Sequence, residues 1–525
     1  CPFRRRTPPG MTPIRLMRSF ATVGGWTLFS RLLGFVRDVL MARFLGAGTV
    51  ADAFFVAFSL PNMFRRLFAE GAFNAAFVPM FTKRLASSKR EAEDFARDAF
   101  WLMGSFLVVF SVVAMTAMPL LVWAMAAGFG TGERFELAVV FGRIAFPYIL
   151  FVSLMALISG MLNATGRFVA AAAAPALLNV AFIAALVLGA RMGWPLGLTL
   201  SWAVPIAGAL QLAAVWWALR RAGFHLRFRR PRLTPELKRL MIIAAPAVLA
   251  GGVVQVNLIV GRQVASFTEN AISWLSYADR LYQLPLGVVG IAVGVVLLPE
   301  LSRRLRAGEE AGARDAFSRG MEFALALTVP SAVALVVIAQ PIVSVLFERG
   351  AFGRADTLNT ALALAVYGAG LPAFVLHKVL QPLYFAREDT RTPFRYAINA
   401  MIVNAVVAVG LMPFIGFVAA ALGTTLAAWA MVWQLARGAR PMGDAARPDA
   451  RFRDRIWRIA LSAAVMGAVL WLLALGLEPM LYGPGRALAL LALIAGGTLA
   501  YFGLGIAIGA FRPNDLRAAM RRGTG

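Results

Sequence analysis

The chain has 525 residues, 60% of them hydrophobic and only 15% charged, with a mean hydropathy of +0.73. An ordinary soluble domain is about one quarter charged, so this composition excludes a disordered chain, a disulfide-stapled secreted scaffold and almost any soluble multidomain enzyme. The net charge of +26 would suggest nucleic acid in a soluble protein; in so apolar a chain it reads as basic loops on one side of a membrane, with no nucleic-acid partner.

Residues 1–10 (CPFRRRTPPG) read as an extension ahead of Met11. No short apolar region with a small-residue cleavage site adjoins them, so no cleaved signal peptide is expected. Apolar runs bounded by charges or Gly/Pro clusters then predict fourteen transmembrane helices, at 22–46, 51–82, 99–126, 136–163, 168–190, 195–219, 240–268, 274–302, 320–347, 357–385, 396–411, 417–436, 459–477 and 487–511. The expected fold class is an all-α polytopic membrane protein. With the N-terminus inside, the inner loops hold 38 Lys/Arg and the outer loops 5. That asymmetry predicts both termini on the cytoplasmic side of the membrane.

The second helix ends Pro79-Met80-Phe81-Thr82-Lys83-Arg84-Leu85 and the eighth ends Pro299-Glu300-Leu301-Ser302-Arg303-Arg304-Leu305, 220 residues later. Arg167 and Asn179 are echoed by Arg391 and Asn404. A repeat after six helices keeps its orientation, which predicts two six-helix lobes with a site between them, a known transporter plan. Chance is the competing reading, since a proline and a basic pair are common at helix ends. The expected layout is an N-lobe at 11–219, a basic linker at 220–239, a C-lobe at 240–436, a basic loop at 437–458, and two further helices with a tail at 459–525.

Charges within apolar spans each cost about 2.5–3.5 kcal/mol on insertion scales, so they mark wet cavities, pairs or ligands. Helix 1 carries Arg31, Arg37 and Asp38; helix 2 carries Asp52, Arg65, Arg66 and Glu70; helix 8 carries Asp279 and Arg280. Arg31 and Asp38 share a helix face, whereas Arg37 lies about 120° away. All three reach one cavity only if it is broad or the helix bends near Gly34. Arg66 and Glu70, at i and i+4, could simply pair along their own helix. Arg31, Arg37 and Arg280 have no acid at i±4, so their bland reading is snorkelling to an interface. Arg143 reads as interfacial, and Arg262 and Lys378 as snorkellers or inter-helix pairs. Several guanidinium forks in an apolar setting suit a diphosphate or carboxylate ligand and suit cationic drugs poorly.

One cysteine (Cys1) and two distant histidines (His225, His377) make neither a disulfide nor a zinc site. There is no GxxxxGK[ST] phosphate loop and no nucleophile–base arrangement. A transporter without cofactors is expected, not an enzyme.

Three segments carry a family resemblance: Ser30 to Leu85, with SRLLGFVRDVLMARFLGAG followed by ADAFFVAFSLPNMFRRLFAEGAFNAAFVPMF; YADRLYQLPLGVVGIAVGVVLLPELSRR at 277–304; and HKVLQPLYFAREDTRTP at 377–393. From Met11 onward the chain closely resembles the MurJ (MviN) family of bacterial lipid II flippases. The resemblance implies the fold of the multidrug/oligosaccharidyl-lipid/polysaccharide flippase superfamily, with helices 13 and 14 forming a groove for a polyprenyl tail. It implies lipid II as substrate, moved from the cytoplasmic to the periplasmic leaflet, and partners in peptidoglycan synthesis. It implies functional importance for Arg31, Arg37, Asp38, Asp52, Arg65, Arg66, Glu70 and Arg280. Some relatives are similar in having a sodium site between helices 7, 11 and 12. Here Asn404 and Thr424 fit it, but Gly261 and Ala408 stand where oxygen donors would be expected, so no metal is expected. The alternatives are a flippase for another polyprenyl-diphosphate glycan, a multidrug antiporter of the same superfamily, and a non-transporting scaffold.

Overall fold

The computed structural model describes residues 13–66 and 72–511. Its regular elements there are helical, with no strand among the described residues. In chain order they are α1 (Pro13–Leu45), α2 (Thr49–Arg65), α3 (Ala72–Ser87), α4 (Lys89–Thr116), α5 (Met118–Ala126), α6 (Glu133–Ala145), α7 (Tyr148–Ala164), α8 (Val169–Met192), α9 (Leu196–Arg221) and α10 (Pro235–Ser266). Then follow α11 (Ala271–Arg306), α12 (Glu310–Val337), α13 (Ala339–Phe347), α14 (Arg354–Phe385), α15 (Arg391–Ile415), α16 (Val418–Ala439), α17 (Ala450–Gly476), α18 (Glu478–Leu481) and α19 (Arg486–Ala507).

Each expected span has a helical counterpart. Several are split where the sequence places a breaker. Pro147 separates α6 from α7, because a proline lacks the N–H needed to continue the ladder. Gly193, left-handed at φ +68°, closes α8 two residues before Pro195 caps α9. Ten helical stretches among the described residues are long and apolar enough to cross a membrane. The outward residues Leu32, Val109, Leu210, Phe414 and Leu499 are exposed, as lipid-facing positions must be in a chain whose backbone groups are satisfied within helices.

The chain forms two compact units. Unit 1 comprises residues 1–44, 53–122 and 133–252; unit 2 comprises 45–52, 123–132 and 253–525. The division therefore falls inside α10. The core of unit 1 stacks Phe77 between Phe81 and Phe95, with Leu157 and Met161 of α7 and Leu219 of α9 packed around them. Unit 2 has one core around Leu301, Phe317, Val379 and Leu435 and a second around Ala463, Leu470 and Leu493 that seats α17 and α19.

Candidate functional site

In unit 1, α1 is unbroken across Gly34, so a bend there is not what gathers its charges. Arg37 and Asp38 are both buried, at 8% and 7% exposure. The Arg37 Nε and Nη2 groups both donate to Asp38 Oδ1, at 2.9 and 2.7 Å. Its third arm, Nη1, donates to Asn179 Oδ1 at 2.9 Å. The Asn179 amide in turn donates to the Ser30 carbonyl at 2.9 Å, one helical turn before Gly34. The Phe182 ring lies 5.6 Å from the guanidinium carbon, covering the pair from α8. Snorkelling does not describe Arg37: its partner is the adjacent residue in sequence, a spacing that helical-face reasoning passes over.

Arg31 is exposed and makes no ion pair among the described residues. Arg65 ends α2 half-buried, with Nε donating to Asn62 Oδ1 at 3.2 Å. Arg66 follows it, exposed. Glu70, and with it the Arg66–Glu70 pairing, lies outside the described residues. Arg143 donates to the Met115 carbonyl at 3.1 Å, at the end of α4.

In unit 2, Asp52 is fully buried. Its Oδ1 accepts from the Ser273 backbone N–H at 2.8 Å and from the Ser273 hydroxyl at 2.6 Å. Ser273 is in the first turn of α11, where backbone donors lack intrahelical partners and an anion is favoured. Asp52 therefore acts as a remote cap of α11. The Tyr277 hydroxyl donates to the Gly46 carbonyl at 2.9 Å, tying the same segment to the same helix. Gly46 has φ +66°, and a Cβ there would come within 2.4 Å of the Ala351 carbonyl oxygen, so only glycine fits. Further along α11, Arg280 is exposed, while Asp279 is half-buried and accepts from Gln283. The rings of Tyr282 and Tyr367 pack 4.9 Å apart on the adjoining α14 face.

The positions noted on helices 7, 11 and 12 make the following contacts. Asn404 is buried, and its amide donates to Asn257 Oδ1 at 2.7 Å. The Thr424 hydroxyl donates to its own helix, to the Ala420 carbonyl at 3.0 Å. Gly261 and Ala408 add no side-chain oxygen, and a hard cation takes six or more oxygen ligands.

Asn179 and Asn404 do the same job in their separate units. Each is a buried amide on an otherwise apolar helix that grips an earlier helix, α1 in one unit and α10 in the other. In the sequence, Asn179 stands out only as a repeat echo, and Asn404 as that echo and as a sodium-site match. A lone amide within an apolar run was the available signal, since it must find a partner when buried.

Among the described residues the chain is a helical bundle with ten stretches long and apolar enough to cross a membrane and with buried and half-buried arginines within its helices. The lipid II flippase MurJ family matches residues 41–492. A probable lipid II flippase MurJ from Rhizobium tropici is 45% identical over 97% of this chain and 97% of its own. A solved lipid II flippase MurJ in an inward-closed conformation superposes with a TM-score of 0.77 at 26% identity, covering 92% of this chain and 97% of that one. An inward-facing multidrug resistance MATE transporter of the MOP superfamily shares the fold at 12% identity, with a TM-score of 0.67 over 79% of this chain and 95% of its own. The chain belongs to the lipid II flippase MurJ family. It is a multi-pass membrane transporter and not an enzyme.

Proposed function

We propose that this protein flips lipid II, the undecaprenyl-diphosphate-linked peptidoglycan precursor, from the cytoplasmic to the periplasmic leaflet by alternating access. The observation that carries the reading is the family match over nearly the whole chain, joined to guanidinium groups set in apolar helices. Arg31, Arg65, Arg66 and Arg280 take the diphosphate, for which a planar two-pronged donor is the fitting partner. Arg37 and Asp38, already paired, set the field around Arg31. Glu70 limits repulsion among the arginines in the empty state, while Asp52 serves the site by fixing the start of α11, the helix that carries Arg280. The two six-helix lobes are 11–219 and 240–436, joined by the linker 220–239. The loop 437–458 leads to helices 13 and 14, within 459–525, which hold the polyprenyl tail. The distribution of Lys and Arg supports an inner-membrane location with both termini cytoplasmic. The peptidoglycan synthesis machinery is the expected protein partner.

Depletion of the protein in its own cells tests this. Lipid II should accumulate on the inner leaflet while its synthesis continues. Accumulation of a different polyprenyl-diphosphate glycan would instead favour the nearest alternative.

A further inference from the structure

The repeated helix ends of α3 and α11 differ in one electrically decisive position. In α11, Glu300 takes both following arginines, Arg303 Nη2 at 2.9 Å and Arg304 Nε at 2.6 Å. In α3 the place of that acid is held by Met80, whose thioether cannot neutralise a cation. Arg84 turns back to the Met80 carbonyl at 3.1 Å and covers the Phe95 ring at 4.2 Å. Lys83 has no ion pair among the described residues.

A cavity of about 530 Å³ opens at this end of α3. Lys83 and Arg84 line it from one side and Arg239 of α10 from the other, with Met80 and Ile243 as its apolar wall. Its acids are Glu91 and Glu236. Glu236 is already satisfied in the first turn of α10: a backbone amide, then the Thr234 hydroxyl, hold its carboxyl below the ordinary range, and Arg84 adds to this. Arg239, like Lys83, has no ion pair among the described residues. Among the described residues these two cations have no ion-pair partner, and the space they share with Glu91 is of ligand size.

We propose that this cavity binds the phosphate of an anionic phospholipid in the cytoplasmic leaflet. A free phosphate would use the same cations, but it would gain nothing from Met80 and Ile243. Beyond the cavity, Met241, Ile242 and Ile243 are 50–64% exposed, a surface for an acyl chain. Aromatic residues mark the headgroup level in the same unit. Arg221 stacks over Trp217 at 3.6 Å, and Trp101 donates to the Arg227 carbonyl at 3.0 Å. The cytoplasmic side rests on the Lys/Arg reading of topology.

The test uses the purified full chain in detergent, with phosphatidylglycerol, phosphatidylcholine and inorganic phosphate as probes and native mass spectrometry as readout. The Met80→Glu variant transplants the acid of the other repeat and should weaken phosphatidylglycerol binding about fivefold, the effect of roughly one charge near a surface. Lys83→Gln with Arg239→Gln should weaken it at least about tenfold on the same scale and leave phosphatidylcholine binding unchanged. Equal phosphatidylglycerol binding by wild type and both variants would overturn the proposal. Displacement of the lipid by an equal concentration of phosphate would overturn the lipid assignment. The readout is binding alone, so failure here leaves the flippase reading untouched.

Discussion

Arg31 and Arg37 are six residues apart on one helix and do different things. Arg37 is buried with its fork divided between Asp38 and Asn179, while Arg31 is exposed. Removing Arg37 breaks the buried Arg37–Asp38 pair, a change that costs about 3–5 kcal/mol when one member of such a pair is deleted. Arg37→Ala should therefore lower the melting temperature in detergent as well as function. Arg31→Ala should leave stability within about 0.5 kcal/mol, as surface changes do, yet fail to rescue a flippase-depleted strain. A thermal melt beside a complementation assay separates the two; equal melting losses would refute the division of roles. The sequence made the charges of α1 visible, because each is costly in an apolar helix. It did not reveal the i, i+1 pairing or the grip of Asn179, since both depend on how α8 packs against α1.

At the scale of helices, the spans were readable from apolar runs, whereas the break at Pro147 falls inside the span expected at 136–163. What joins the spans was not readable. Arg455, 5% exposed on α17, pairs with Glu322 of α12, and Glu322 also takes Arg319. Asp449 caps α17 by accepting from Phe452 N–H and also pairs with Arg319. Glu322 sits at the very start of the span expected at 320–347, and nothing in its spacing points to α17. Glu322→Ala should release the start of α17, seen as faster amide hydrogen exchange across 450–460 with α3 and α4 unchanged. Uniform exchange would argue against a local clasp. In the turn between α14 and α15, the Asp389 carboxyl accepts from the Thr392 N–H at 2.9 Å. That bond, then the Thr392 hydroxyl, holds the carboxyl below its usual range. A carboxyl depressed in the fold contributes stability above its unfolded value and loses it as the pH falls through its folded one. Protection of the Thr392 amide should accordingly persist at neutral pH and fade only in acid below the ordinary carboxylate range. Asp389→Asn should lack that acid transition.

For the molecule as a whole, composition fixed the solvent and the Lys/Arg asymmetry supports an orientation. Neither could name the cargo, because charge identifies an anion and not the sugars, peptide or lipid attached to it. The family supplied that. Lipid II is anionic, and an inside-negative potential contributes about 2.3 kcal/mol per elementary charge per 100 mV. Outward movement should slow when the potential is collapsed in cells while lipid II synthesis continues; an unchanged rate would exclude the field as a driving force.

The central claim is that this chain carries lipid II across the bilayer. Its most direct test is leaflet accessibility of lipid II in cells that make or lack the protein, probed from outside by a reagent that modifies only exposed headgroups. The account predicts modification when wild type is present, and its loss on depletion or when only Arg31→Ala is supplied. Undiminished modification after depletion would contradict it.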